Sequence, residues 1–219
     1  MRLSVASPEA LRAIEAVDAA NALDPNVISF SGNEYPLALL QGQRASLWLE
    51  RLDPAASDAA RIAARAHHLR RWTVNRSAYP EGRVGYHRWK KAAKDVHAVA
   101  LAEITVGTGL GDAVLLRSQM LVRRIGLGTD PETQVVEDCA CLVFLETQFE
   151  TLIDKIGRDP VVDAVRKTLK KMSPAAIQLA GDAVGSELAR SVLGQAVQEQ
   201  AVQEQPVPEE RRNFDDARR

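Results

Sequence analysis

Apolar residues recur along this chain at the three- and four-residue spacing of helices whose one face is buried. In the segment after Asp130 the seam reads Val135, Asp138, Leu142, Leu145, Phe149, Leu152 and Ile156, and in the segment after Ser57 it reads Ile62, Ala66 and Leu69. Proline-led starts punctuate the pattern: Ser7-Pro8-Glu9, Asp53-Pro54, Asp130-Pro131-Glu132, Asp159-Pro160 and Ser173-Pro174. Serine or aspartate ahead of proline is a helix-start signal, because the side chain caps a free amide and proline has no amide to leave unpaired. Helices are therefore predicted over roughly 8–21, 36–52, 57–72, 83–106, 112–124, 130–157, 159–172 and from 174 into the 190s. One short strand is predicted at Val27-Ile28-Ser29-Phe30, ahead of a Ser31-Gly32-Asn33 turn.

Composition sharpens this into a fold class. Hydrophobic residues make up 46% of the 219 residues but aromatic residues only 5%, so leucine, valine and alanine must build the core. That chemistry favours helices over strands. The expectation is an all-α, single-domain helical bundle of seven or eight helices over residues 1–194. A mobile charged tail over 195–219 is expected to follow, opening on Ala196-Val197-Gln198-Glu199-Gln200 and its immediate repeat. A net charge of -1 gives no global attraction for nucleic acid or an acidic membrane. No apolar run approaches the roughly 18–20 residues that span a bilayer. With a polar start and two cysteines, Cys139 and Cys141, set two apart on a helix, a cytoplasmic chain with reduced thiols and no membrane is expected.

Polar residues interrupt the predicted core faces at four places. Asp138 sits in the seam given above; His97 falls among Tyr86, Ala93, Ala100 and Ile104; Arg44 shares a face with Leu37, Leu40, Leu47, Trp48 and Leu52; His67 and His68 flank the Ile62 face. An isolated carboxylate in a core is too costly to stand alone. Two readings fit. One is a buried Arg44–Asp138 pair with satisfied core histidines; the other is a site assembled from several helices of a bundle.

Charge and glycine patterns add two further candidates. From Arg61 to Lys94 the chain holds ten basic residues against the lone acid Glu81, with Trp72, Tyr79, Tyr86 and Trp89 interleaved. Such a segment binds a nucleotide or nucleic acid, or forms a solvated face paired with the acid-rich stretch from Glu132 to Asp163. Gly107-Thr108-Gly109-Leu110-Gly111 resembles a cofactor-binding glycine loop, but a helix precedes it where such a loop needs a strand. It reads as a helix–helix connection, and no nicotinamide, flavin or S-adenosylmethionine is expected.

Seven stretches carry a family resemblance. They are Gly42-Gln43-Arg44, His68-Leu69-Arg70-Arg71-Trp72, Tyr79-Pro80, Gly85-Tyr86-His87-Arg88-Trp89, Thr129 to Gln134, Glu137 to Leu145, and Lys167 to Ser173. In this order they resemble an uncharacterised family, domain of unknown function 4202. The chain departs from the family pattern at His67 and Asn75, and in a basic cluster thinned to Arg123-Arg124 before Thr129. The helix order is in turn similar to the HD superfamily of metal-dependent phosphohydrolases. That resemblance implies an HD-like fold with His68, His97 and Asp138 holding a divalent metal ion, which lowers the pKa of its water. It also implies that Arg44, Arg71 or Arg76 grips the phosphate of a nucleotide or small phosphate ester. The His-Asp pair that defines the superfamily is absent, since Leu69 follows His68. The alternative is a non-catalytic helical module that binds nucleic acid, a nucleotide or a partner protein through the basic segment. Oligomeric state is left open.

Overall fold

The computed structural model describes residues 6–204. Ten α-helices, two short 3-10 helices and one β-hairpin make up the regular structure of the described residues. Helix α1 (Pro8–Asn21) starts as its sequence predicts, with Ser7 Oγ accepting from the Ala10 amide at 3.1 Å and proline in the first turn. It is followed by an antiparallel hairpin, β1 (Val27–Phe30) and β2 (Asn33–Pro36), in which Val27 lies opposite Pro36 and Phe30 opposite Asn33. Ser31 and Gly32 take φ of 50° and 80°, the double left-handed turn whose twist suits a two-residue hairpin loop. The second strand escapes the sequence pattern because Asn33 and Pro36 are poor strand formers.

The remaining helices are α2 (Leu37–Leu52), α3 (Asp58–Arg65), α4 (Gly82–Ile104), α5 (Asp112–Arg123) and α6 (Pro131–Thr147). Then come α7 (Phe149–Ile156), α8 (Arg158–Leu169), α9 (Pro174–Ala183) and α10 (Glu187–Glu204). Two predicted helices are divided. The 130–157 segment breaks at Gln148, just after Thr147, whose hydroxyl bonds back to the Val143 carbonyl and competes with the helical ladder. The last helix breaks at Val184, which is extended, and restarts at Glu187. Alanine-rich α3 packs against α1, α2, α5 and α6, because Ala59, Ala60, Ala63 and Ala64 allow close approach on several sides. α4 lies on α5, α9 on α6, and α10 on α8.

One hydrophobic cluster runs from Ala10 to Ala196, so the described chain is a single, predominantly all-α domain. The same cluster takes in Ala196, past residue 194. Helix α10 continues through Gly194 to Glu204, Ala196 is fully buried, and Gln195 and Glu199 accept from Arg158 and Arg166 of α8. The rest of the expected tail lies outside the described residues. The glycine loop is a helix–helix connection whose Thr108 carbonyl accepts from Arg12 Nε of α1. Among the described residues no helix is long and apolar enough to cross a membrane.

Candidate anion site beside a row of histidines

The helix predicted to reach Trp72 ends at Arg65, and this early end creates the site. After Ala66 the chain folds into tight turns, with the Arg71 amide bonding to the His68 carbonyl and Arg70 in the left-handed region at φ 53°. His67 and His68 are thereby turned toward His97 of α4. Ring centroids lie 4.2 Å apart for His67 and His68, and 6.1 Å apart for His68 and His97. Every Nδ1 has a partner: the Ala64 carbonyl at 2.8 Å for His67, Gln41 Oε1 at 2.6 Å for His68, and the Leu69 carbonyl at 2.6 Å for His97. A carbonyl oxygen only accepts, so Nδ1 carries the proton and Nε2 presents a lone pair. Nε2 of His67 and of His97 is sealed from solvent without a hydrogen-bond partner. Burial, reinforced by the Arg124 charge, depresses His67 to about 4; burial is also the main cause that takes His97 to about 3. His68 is pushed well below 6.5 by burial and by its neighbours His67 and Arg71. All three rings are neutral near pH 7.

Beside the row stands a group of basic side chains from separate elements. Arg71 comes from the 3-10 turn Arg71–Thr73, Lys90 and Lys94 from α4, Arg124 from the end of α5, and Lys171 from the turn between α8 and α9. Glu137 of α6 faces them. It accepts from Arg124 Nε at 2.7 Å and stands 4.0 Å from Lys171 Nζ. Burial alone would raise the Glu137 carboxyl, but Arg124, Lys94 and Lys171 overcome it and hold the group at about 2. Burial pushes Lys94 down to about 8, helped by Arg124, Lys90 and Lys171, and it lowers Lys90 and Arg71 as well. Arg71 stacks 4.5 Å above the Trp89 ring, whose Nε1 donates to the Val74 carbonyl, and Lys90 lies 5.5 Å from the Tyr86 ring. Among the described residues neither Arg71, Lys90 nor Lys94 has a carboxylate within ion-pair distance. Tyr86, expected in the core, is 44% exposed at the edge of this group.

The residues expected to form a metal and phosphate site do not come together as a set. Asp138 is buried, as its place in the seam predicts, but its Oδ1 accepts from Gln134 Nε2 and from the Ser173 amide, both at 2.9 Å. It ties α6 to the start of α9. Adjacent helical residues point about 100° apart, so Glu137 rather than Asp138 is directed at the basic group. Among the described residues no three His, Cys, Asp or Glu side chains are grouped so as to hold a metal ion. Arg44 pairs with Glu146 and not with Asp138; Glu146 also accepts from Trp48 Nε1 at 2.9 Å. Arg76 donates to the Tyr79 and Pro80 carbonyls and holds the loop before α4. Of the three arginines expected on phosphate, Arg71 alone belongs to the basic group.

The basic residues of the 61–94 segment find different partners. Arg65 pairs with Asp18 and Arg70 with Glu103, outside the stretch from Glu132 to Asp163, while Arg61 donates to the Pro54 and Ala56 carbonyls and Lys94 acts on Glu137 within it. The sequence marks Lys94 only as one of ten basic residues from Arg61 to Lys94 and assigns no site role to Arg124, Glu137 or Lys171. A signal existed for part of this: Lys90, Lys94 and His97 follow at spacings of four and three, which places them on one helical face. A groove of about 490 Å³ lies elsewhere, among Ala16, Ala20, Leu23, Trp72 and Ile104.

A family model described as "Domain of unknown function (DUF4202)" matches residues 11–192. No curated protein and no solved structure matches the chain.

Proposed function

We propose that this chain, which belongs to the family of domain of unknown function 4202, binds a small phosphorylated molecule at the basic group around Glu137. The observation that carries the reading is the charge imbalance: Arg124 and Lys171 stand at Glu137, Lys90 and Lys94 are near enough to act on it, Arg71 lies beside Lys90, and three of the five have no acidic partner among the described residues. Partly buried cations that repel one another are unfavourable unless an anion joins them. A phosphate group supplies two negative charges and several acceptor oxygens in one compact unit, and guanidinium and ammonium donors suit it. The same charges disfavour a divalent cation beside the histidines, which weighs against the metal-dependent phosphohydrolase reading while keeping its ligand class.

Titration calorimetry at low salt with orthophosphate and with a nucleoside monophosphate tests this. Binding of at least one is expected, and Lys94→Gln should weaken it by about tenfold, the loss of roughly one charge-assisted hydrogen bond. Absence of binding by either ligand, or an unchanged affinity in Lys94→Gln, overturns the reading. Tight binding of a single-stranded oligonucleotide, with a steep salt dependence and no response to the monophosphate, would favour a nucleic-acid module instead.

A further inference from the structure

Cations account for one end of a ligand, and the histidine row speaks to the other. His68 lies between His67 and His97, and its Nδ1 is fixed by Gln41 Oε1 of α2. With that oxygen accepting, the proton sits on Nδ1 and the Nε2 lone pair is left as an acceptor. His68 Nε2 has no protein partner among the described residues, yet unlike Nε2 of its two neighbours it is not sealed from solvent. The Arg71 amide donates to the His68 carbonyl at 3.0 Å, and the His68 ring lies 6.1 Å from that of His97, which is one turn from Lys94 on α4, so the acceptor stands beside the anion site. A fixed acceptor repels phosphate oxygens, which are acceptors themselves, and attracts a hydroxyl. The two features together ask for an anionic group and a hydrogen-bond donor on one small molecule.

We infer that the ligand is a hydroxylated phosphate monoester, of the polyol or sugar phosphate class, with its phosphate among Arg71, Lys90 and Lys94 and a hydroxyl donating to His68 Nε2. This rests on the anion reading above and adds the part that sets specificity. Gln41 acts as a positioning residue, holding the ring in the tautomer that accepts.

The test compares orthophosphate, methyl phosphate and glycerol 3-phosphate by calorimetry on the full chain. The two esters carry the same charge, and glycerol 3-phosphate adds hydroxyls. Glycerol 3-phosphate is expected to bind about tenfold tighter than methyl phosphate, the scale of one good hydrogen bond. In His68→Ala that ratio should fall toward one, while the orthophosphate affinity stays within about twofold because the cations remain. Equal affinities for the two esters in the unmodified protein overturn the inference, and so does a ratio that survives in His68→Ala. Failure of orthophosphate and both esters to bind overturns the anion site itself. Should His68→Ala not fold, nitrogen-15 chemical shifts of His68 carry the same comparison. Nε2 should move on adding glycerol 3-phosphate and not methyl phosphate; no movement with either overturns the inference.

Discussion

His97 is 1% exposed and His67 4%, and both are neutral rings whose Nδ1 protons are donated to backbone carbonyls. Protonating either places a charge in a site already crowded with cations. Their folded-state values, about 3 and about 4, lie below the ordinary 6.5, so between those limits the unfolded chain binds more protons. The stability they contribute is complete above about pH 6.5 and is lost as pH falls toward 4 and then 3. Glu137, lowered from 4.5 to about 2, works in the same direction: its contribution is present above 4.5 and lost on further acidification. Urea unfolding should therefore show a loss of about 2 to 4 kcal/mol between pH 7 and pH 5, before most carboxylates titrate. His97→Gln should flatten part of that slope, and a flat wild-type profile would contradict neutral buried rings. Asp138 has a plainer role, as the acceptor for Gln134 and the Ser173 amide. Asp138→Ala should cost about 1 to 3 kcal/mol in denaturant titrations, and Asp138→Asn less, because the amide keeps an acceptor oxygen.

Among the elements, two glycines allow helices to touch backbone. A Cβ on Gly42 of α2 would stand 2.6 Å from the Arg65 carbonyl at the end of α3, and one on Gly85 of α4 would stand 1.8 Å from the Pro80 carbonyl. The first contact sets how closely α2 approaches the turn that carries the histidines. The second folds the Arg76–Pro80 connection against the first turn of α4. Gly42→Ala and Gly85→Ala should each destabilise by about 1 to 3 kcal/mol, as overpacking does, with the larger effect at Gly85. Thermal melts of the two variants check this, and unchanged midpoints would show that the helices can shift freely.

Across the whole molecule, α10 closes the core rather than trailing from it. Val192, Leu193 and Ala196 join the common cluster, and Arg158 and Arg166 bond to residues beyond Gly194. Truncation after Gly194 removes Ala196 and both polar contacts. It should lower stability by about 1 to 2 kcal/mol, from the buried methyl and the frayed final turn. Calorimetric melting of the truncated chain measures this directly, and an unchanged melting temperature would mean the last turns of α10 contribute nothing.

Some of this protein was decided by local chemistry. Proline and serine starts, a low aromatic content and three-to-four periodicity determined an all-α domain, because helix formation depends on neighbours within a few residues. The buried positions of His97 and Asp138 follow from the same periodicity, and the ordered stretches from Gly42 to Ser173 marked the family. Which side chains meet was decided only in three dimensions. The pairing of Arg44 with Glu146 instead of Asp138 depends on how α2 crosses α6, and a sequence separation of 102 residues leaves no local trace of it. The basic group around Glu137 draws on α4, α5, α6 and two turns, and Arg124, Glu137 and Lys171 each read alone as an ordinary surface residue. The early end of α3 at Arg65 was invisible as well, since residues 66–72 continue the helical pattern while tertiary packing turns them inward. Burial and charge act through space, so the candidate site became legible only once the helices had been packed.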